Sequence, residues 1–358
     1  MGAQESSLSN ADSLTAFSNP QAWYGPDLAR RDDWIHEFSP AEIAEIDAAV
    51  ARIEAAGLEI LDIRRADFPL PKLGAVLDAA RTETLHGKGF HLLRGVPVER
   101  YTQRQSAIAF WGLGLHLGEP VSQNGKGHVL GHVTNLGLNY DDPEVRGYQT
   151  NARLPYHADL SDIVALLGLR ASKSGGLSSI VSSTTIWNEL VSRHPEHARS
   201  LLEPLYYTRW GEIPAGKLPY EAVPVFAPYR GRMIANYVRS AIRKAQELPG
   251  LPRLSDAQNQ AMDCVDALAA DARLHLDMAF RPGDVQIVCN YFTFHSRTAY
   301  EDWPERSQRR HLLRLWLACA DGPPLPQFMN ERSGQTASGR PNGIWVPGVA
   351  PVAPLEAV

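Results

Sequence analysis

Cysteine is scarce in this 358-residue chain, and the three present, Cys264, Cys289 and Cys319, are odd in number and widely spaced. That excludes the disulfide framework of a small secreted domain, provides no cysteine-built zinc cluster, and fits a reduced, cytoplasmic setting. No apolar run approaches membrane-spanning length, and the Ser/Asn/Asp-rich beginning lacks the apolar centre of a signal peptide. Long basic runs are missing too, and a formal charge of −5 argues against a nucleic-acid surface. What is plentiful is core material. With 44% hydrophobic residues, the chain can bury a large core in one elaborated domain or two.

Residues 1–38 read as an irregular N-terminal arm that either packs on the body through Trp23, Tyr24 and Trp34 or serves as an active-site lid. Ser39-Pro40-Ala41-Glu42 combines an N-cap, a proline at N1 and a reciprocal glutamate at N3, so a helix should start there and run to about Ala56. Further helices are expected from about Leu73 to Leu85, from Gln103 to Leu117, from Thr185 to Leu202 and from near Ser255. Gly89 to Val98 reads as a core strand leaving through a glycine turn, and Ile163 to Arg170 and Val285 to Tyr291 read as core strands too. Residues 203–280 form an insertion, with Tyr207, Arg209, Tyr237 and Arg239 as candidate pocket residues. Residues 321–358, rich in Pro and Gly, are expected to be extended or partly disordered. The polar loop from Val121 to His128 offers Gln123 and Asn124 as substrate contacts, and Asn135 follows it, with loop capping as their competing role. His128 and His132 are four apart, but their glycine and valine neighbours oppose a helical zinc pair.

The chemistry concentrates in Tyr156-His157-Ala158-Asp159. In an extended segment residues i and i+2 share a face, so His157 and Asp159 can reach one metal ion. A distant histidine, His295, follows the Val285 strand and would complete a 2-His-1-carboxylate facial triad. Downstream, Arg309-Arg310-His311-Leu312-Leu313-Arg314-Leu315 alternates. As a strand it places Arg310 and Arg314 on one face, with His311, Leu313 and Leu315 on the other. Two guanidinium groups on a core-like strand need carboxylates.

The order His157-x-Asp159, Ser174-Gly175-Gly176-Leu177-Ser178, Gly283-Asp284, His295 and Arg310-x-x-x-Arg314 resembles the taurine dioxygenase/TfdA-like family of Fe(II)- and 2-oxoglutarate-dependent oxygenases, including its clavaminate synthase-like branch, from about Gly89 to about Ala320. The resemblance implies a mainly β fold with flanking helices around a double-stranded β-helix (jelly-roll, cupin-like) core, in a single domain at 39–320. It implies Fe(II) on His157, Asp159 and His295, and 2-oxoglutarate on Arg310 and on the hydroxyl of Ser178 or its neighbour Ser179. Arg309 competes with Arg310 in register. Arg314 matches a position that meets an anionic substrate group or the near carboxylate of the co-substrate.

Such a site would use O2 to oxidise a C–H bond, with succinate and CO2 released. Hydroxylation is the default outcome; desaturation or cyclisation would need only another fate of the substrate radical. Halogenation is opposed, because Asp159 keeps the carboxylate that halogenating relatives give up. The expected partner is a small, anionic, amino-acid-like or natural-product substrate, with a homo-oligomer left open. Taurine itself has no particular support. Two alternatives stay open: a zinc-dependent hydrolase using the same ligands, and a non-catalytic jelly-roll binding protein in which both histidines are satisfied core residues.

Overall fold

The computed structural model describes residues 14–139, 146–333 and 336–357. Two sheets face each other, and helices cover the outside of both. The strands used below are β1 (Ile35–Glu37), β2 (Phe90–Arg94), β3 (Glu119–Val121), β4 (Gly131–Thr134), β5 (Leu154–His157), β6 (Ile163–Arg170), β7 (Ser178–Ser182), β8 (Leu276–Met278), β9 (Asp284–Cys289), β10 (Thr293–Arg297) and β11 (His311–Ala318). The major sheet runs β1-β2-β9-β6-β11-β3, with β4 also pairing β11; the minor sheet runs β8-β7-β10-β5. The helices are α1 (Pro40–Ala56), α2 (Leu73–His86), α3 (Gln103–Leu117), α4 (Ser183–Arg193), α5 (Pro195–Leu202), α6 (Arg239–Ala245) and α7 (Asp256–Ala269).

Period-two alternation explains the layers. On β6, Ile163, Ala165 and Leu167 enter the cluster beneath α1, α2 and α3, and so do Val285 and Ile287 of β9 and Leu313, Leu315 and Leu317 of β11. The intervening residues Val164, Val288 and Trp316 turn the other way and meet Ile180 and Leu276 of the minor sheet. The inner face of the major sheet therefore belongs half to a core and half to a cavity. A third cluster packs α4, α5 and α7 onto the minor sheet through Trp187, Val265 and Phe294. The capping box predicted at Ser39 and Glu42 is present, and Ser255 caps α7 in the same way.

Several boundaries differ from the sequence reading. Within the arm, Ile35–Glu37 is a strand paired parallel to β2, and Trp23 and Trp34 are buried against Phe90 while Tyr24 stays exposed. Residues 14–38 line neither site cavity; residues 1–13 lie outside the described residues. The expected helix from Thr185 to Leu202 is two helices, α4 and α5, broken before Pro195, because the residue before a proline is driven out of the helical region. The expected strand through Tyr291 stops at Cys289, which frees the side chain of Asn290. The segment 203–280 is not wholly an insertion, since Leu276–Met278 pairs with β7 in the minor sheet. The tail is largely irregular yet packed: Arg340 and Asn342 bond the fully buried Asp162, and Val352 bridges His128.

Candidate active site

β5 and β10 are antiparallel neighbours, and their register sets His157 opposite His295, with a bulge between His295 and Arg297. Asp159 follows β5 in a turn held by Asn290, whose Oδ1 accepts the Asp159 N–H at 2.8 Å while its Nδ2 donates to Ser161. The three side chains converge: the ligand atoms all lie within 4.8 Å of one another. His157 Nε2 is 3.7 Å and His295 Nε2 3.6 Å from the two Asp159 oxygens, and the imidazole rings are 4.3 Å apart. His157 Nδ1 lies 2.8 Å from the Pro155 carbonyl, an acceptor only, so that nitrogen carries the proton and Nε2 keeps its lone pair for a cation. Trp316 Nε1 donates to Asp159 Oδ2 at 2.8 Å and fixes the carboxylate.

Electrostatics place His157 and Asp159 in the states that binding a metal would need. Burial, reinforced by the neighbouring His295, pushes the His157 imidazole down to about 4, so it is neutral at physiological pH. Burial works against ionisation of Asp159, but the nearby His295 and the Arg314 charge outweigh it and hold the carboxyl well below its usual range. Two neutral imidazoles and one carboxylate on one face suit Fe(II) and leave positions free for further ligands.

Beside the triad a small cavity is lined by Ser178, His295, Arg297, Arg310 and Arg314. Arg310 is buried, stacks over the Tyr300 ring at 5.3 Å, and has no carboxylate partner among the described residues. Its Nη1 has no hydrogen-bond partner there either. Burial, and then the charge of Arg297, lower its guanidinium to about 10, so it still carries a proton at neutral pH. Arg309 points elsewhere, toward the carbonyls of Trp303, Pro304 and Asn135. Ser178 faces this cavity and donates to Gln286 at 3.0 Å, whereas the Ser179 hydroxyl meets Tyr156. The double glycine has a steric reason: Gly176, at φ +70°, would put a Cβ 3.1 Å from Arg310 Nε, and Gly175 would put one 2.4 Å from the Ala299 carbonyl.

A larger cavity opens from the triad toward the segment 203–245. Arg314 reaches it, stacked on Tyr148 and Trp316 at 4.8 and 5.2 Å, with Nε bonded to Gln123 Oε1 at 2.7 Å. Gln123 is buried and occupied in this way, so it orients Arg314. Asn124 lines the cavity with its Oδ1 capping the loop at Lys126 and His128, and Asn135 caps Gly137. Tyr207 lines it and donates to the Asn236 carbonyl. Arg239 lines it too but is committed to Asp263 and Asp266, and Tyr237 points to Asp266 within the helical core. His132, on β4, meets His311 through one ring nitrogen and the Pro354 carbonyl through the other.

Residues that sequence reasoning missed include Asn290 and Trp316, which steady Asp159, and Arg332. The last comes from the tail, lies buried in the cavity wall and pairs with Glu221, which also holds Arg209. An arginine in a segment without periodicity had no signal to mark it.

Several known proteins are similar to this chain. The model of the taurine catabolism dioxygenase TauD, TfdA family matches residues 53–316. The FR-33289 synthase of Streptomyces rubellomurinus is 32% identical over 89% of this chain and 95% of its own length. A taurine hydroxylase-like protein of Stachybotrys chartarum is 29% identical over 84% of this chain and 79% of its own. Among solved structures, an asparagine oxygenase holding Fe(II), hydroxyasparagine and succinate covers 87% of this chain and 99% of its own at a TM-score of 0.63 and 18% identity, which speaks to the fold. Neither the zinc hydrolase nor the silent binding module is favoured by these likenesses. Two converging imidazoles, an ionised carboxylate and an adjoining cationic cavity thus occur in a chain that belongs to the TauD/TfdA family and is an Fe(II)- and 2-oxoglutarate-dependent dioxygenase.

Proposed function

We propose that His157, Asp159 and His295 hold the Fe(II), that Arg310 and Ser178 hold the far carboxylate of 2-oxoglutarate, and that the larger cavity presents a small anionic substrate for hydroxylation. The observation that carries this reading is the buried Arg310, a cation without a carboxylate, in a cavity shared with His157 and His295. When bound, Fe(II) supplies oxidation of a C–H bond by O2, coupled to conversion of 2-oxoglutarate to succinate and CO2. The protein's own part is positioning. The Pro155 carbonyl fixes the His157 tautomer, Trp316 and Asn290 orient Asp159, and the Arg310 fork suits a carboxylate in two-point contact.

The far wall supports an anionic substrate. Arg209 and Arg332 share the single carboxylate of Glu221, so this trio, with Arg332 buried and the other two half-buried, carries excess positive charge. Arg209 Nε and Asn236 Nδ2 there lack hydrogen-bond partners among the described residues, as donors awaiting a ligand do. Similar proteins are named for substrates with acidic groups, taurine in one case and uridine-5′-phosphate in another; structures of the fold hold asparagine and arginine products. The test is a panel of these four compounds, scored by substrate-dependent succinate formation. For whichever compound is turned over, Arg332→Ala is expected to raise KM at least about 30-fold, the low end for truncating a buried charged contact. An unchanged KM would remove Arg332 from substrate binding.

A further inference from the structure

Away from the cavities, on the outer face of the helices that cover the minor sheet, His194, His197 and Cys264 bring their ligand atoms within 4.8 Å of one another. His194 ends α4 and caps α5, His197 lies one turn on, and Cys264 comes from the middle of α7. All three are half-buried. The two imidazoles lie side by side, ring centroids 5.8 Å apart. Neither has a side-chain hydrogen bond among the described residues, in contrast to His36, His116, His132 and His157, whose ring nitrogens are engaged. Glu196 Oε1 sits 3.8 Å from His197 Nε2 at the same corner.

We propose that this corner is a second metal site, separate from the iron site, in which His194, His197 and Cys264 bind a zinc ion with Glu196 or water as fourth ligand. Two imidazoles and one thiolate form a borderline-soft set, which selects zinc over the hard cations. Tetrahedral zinc with nitrogen bonds of about 2.0–2.1 Å and sulfur bonds of about 2.3 Å holds its ligand atoms roughly 3.3–3.8 Å apart. From separations within 4.8 Å, closing the set takes a contraction of at most about 1.5 Å, within reach of side-chain rotation for groups that are not packed solid. Counting cysteines alone misses such a site, because the histidines supply most of it. The ion would tie the α4–α5 junction to α7, the helix whose Asp263 and Asp266 hold Arg239 at the cavity wall. Its role is structural: it braces the wall without touching substrate.

Cobalt(II) reports thiolate ligation by absorption, and Cys289 and Cys319 are buried in the core away from any such histidine pair. The probe is therefore cobalt(II), added anaerobically to full-length Asp159→Ala protein, whose iron site is crippled. One equivalent should bind at micromolar protein with a thiolate-to-cobalt charge-transfer band, and one equivalent of zinc should bleach it. The band should vanish when Cys264→Ala or His197→Ala is added, with circular dichroism confirming the fold. In wild-type protein loaded with Fe(II), zinc should raise the melting temperature, and in Cys264→Ala it should not. Absence of the band, or its persistence in both variants, overturns the site. Neither result bears on the iron chemistry, which is read separately from 2-oxoglutarate turnover.

Discussion

Asp159→Ala protein is expected to lose more than about 100-fold in Fe(II) affinity, because changing only an outer-shell partner of a metal ligand already costs about 10–100-fold. The loss has two parts. The mutant gives up the one anionic group of the proposed ligand set, which the structure keeps ionised against the penalty of burial through His295 and Arg314. It also leaves Trp316 Nε1 without its acceptor. Trp316→Phe separates these contributions: it retains the carboxylate, frees its orientation, and should cost about 10–100-fold. Calorimetric titration of metal-free protein with Fe(II) under anaerobic conditions measures both. Equal affinities in wild type and Asp159→Ala would remove Asp159 from the metal site.

Arg310→Ala should leave Fe(II) affinity intact and raise the apparent KM for 2-oxoglutarate. Truncating one partner of a buried charged contact costs about 2–5 kcal/mol, so a rise of roughly 30-fold or more is expected. Arg309→Ala should change it less than about threefold, since its guanidinium faces backbone carbonyls away from the cavity. Arg310→Lys should recover only part of the loss, because an ammonium cannot make the two-point contact and sits less well over Tyr300. Initial rates against 2-oxoglutarate concentration decide it. If Arg309→Ala carries the effect, the co-substrate register is off by one residue.

The alternation on β11 was legible in the sequence, because a strand's period of two leaves little choice once Leu313 and Leu315 must face a core. His157-x-Asp159 was legible for the same reason. The supports of the site were not. Asn290 pins a turn 131 residues away, and Trp316 and Arg332 reach Asp159 and Glu221 across spans of 157 and 111 residues. No local periodicity records such contacts. The β1 strand escaped notice because three residues cannot display alternation, and the tail because its order comes from contacts such as Arg340 with Asp162 and not from propensity. The polar residues Gln123, Tyr207 and Arg239, expected to contact substrate, line the larger cavity. Their hydrogen bonds show that each already serves a protein partner.

The most direct test of the whole account is anaerobic addition of Fe(II) and then 2-oxoglutarate to the metal-free protein, followed by visible absorption. A weak charge-transfer band of the chelated 2-oxo acid should appear at one equivalent of iron and decay on exposure to O2 as succinate forms. Wild-type protein that binds Fe(II) but shows no band and forms no succinate would contradict it.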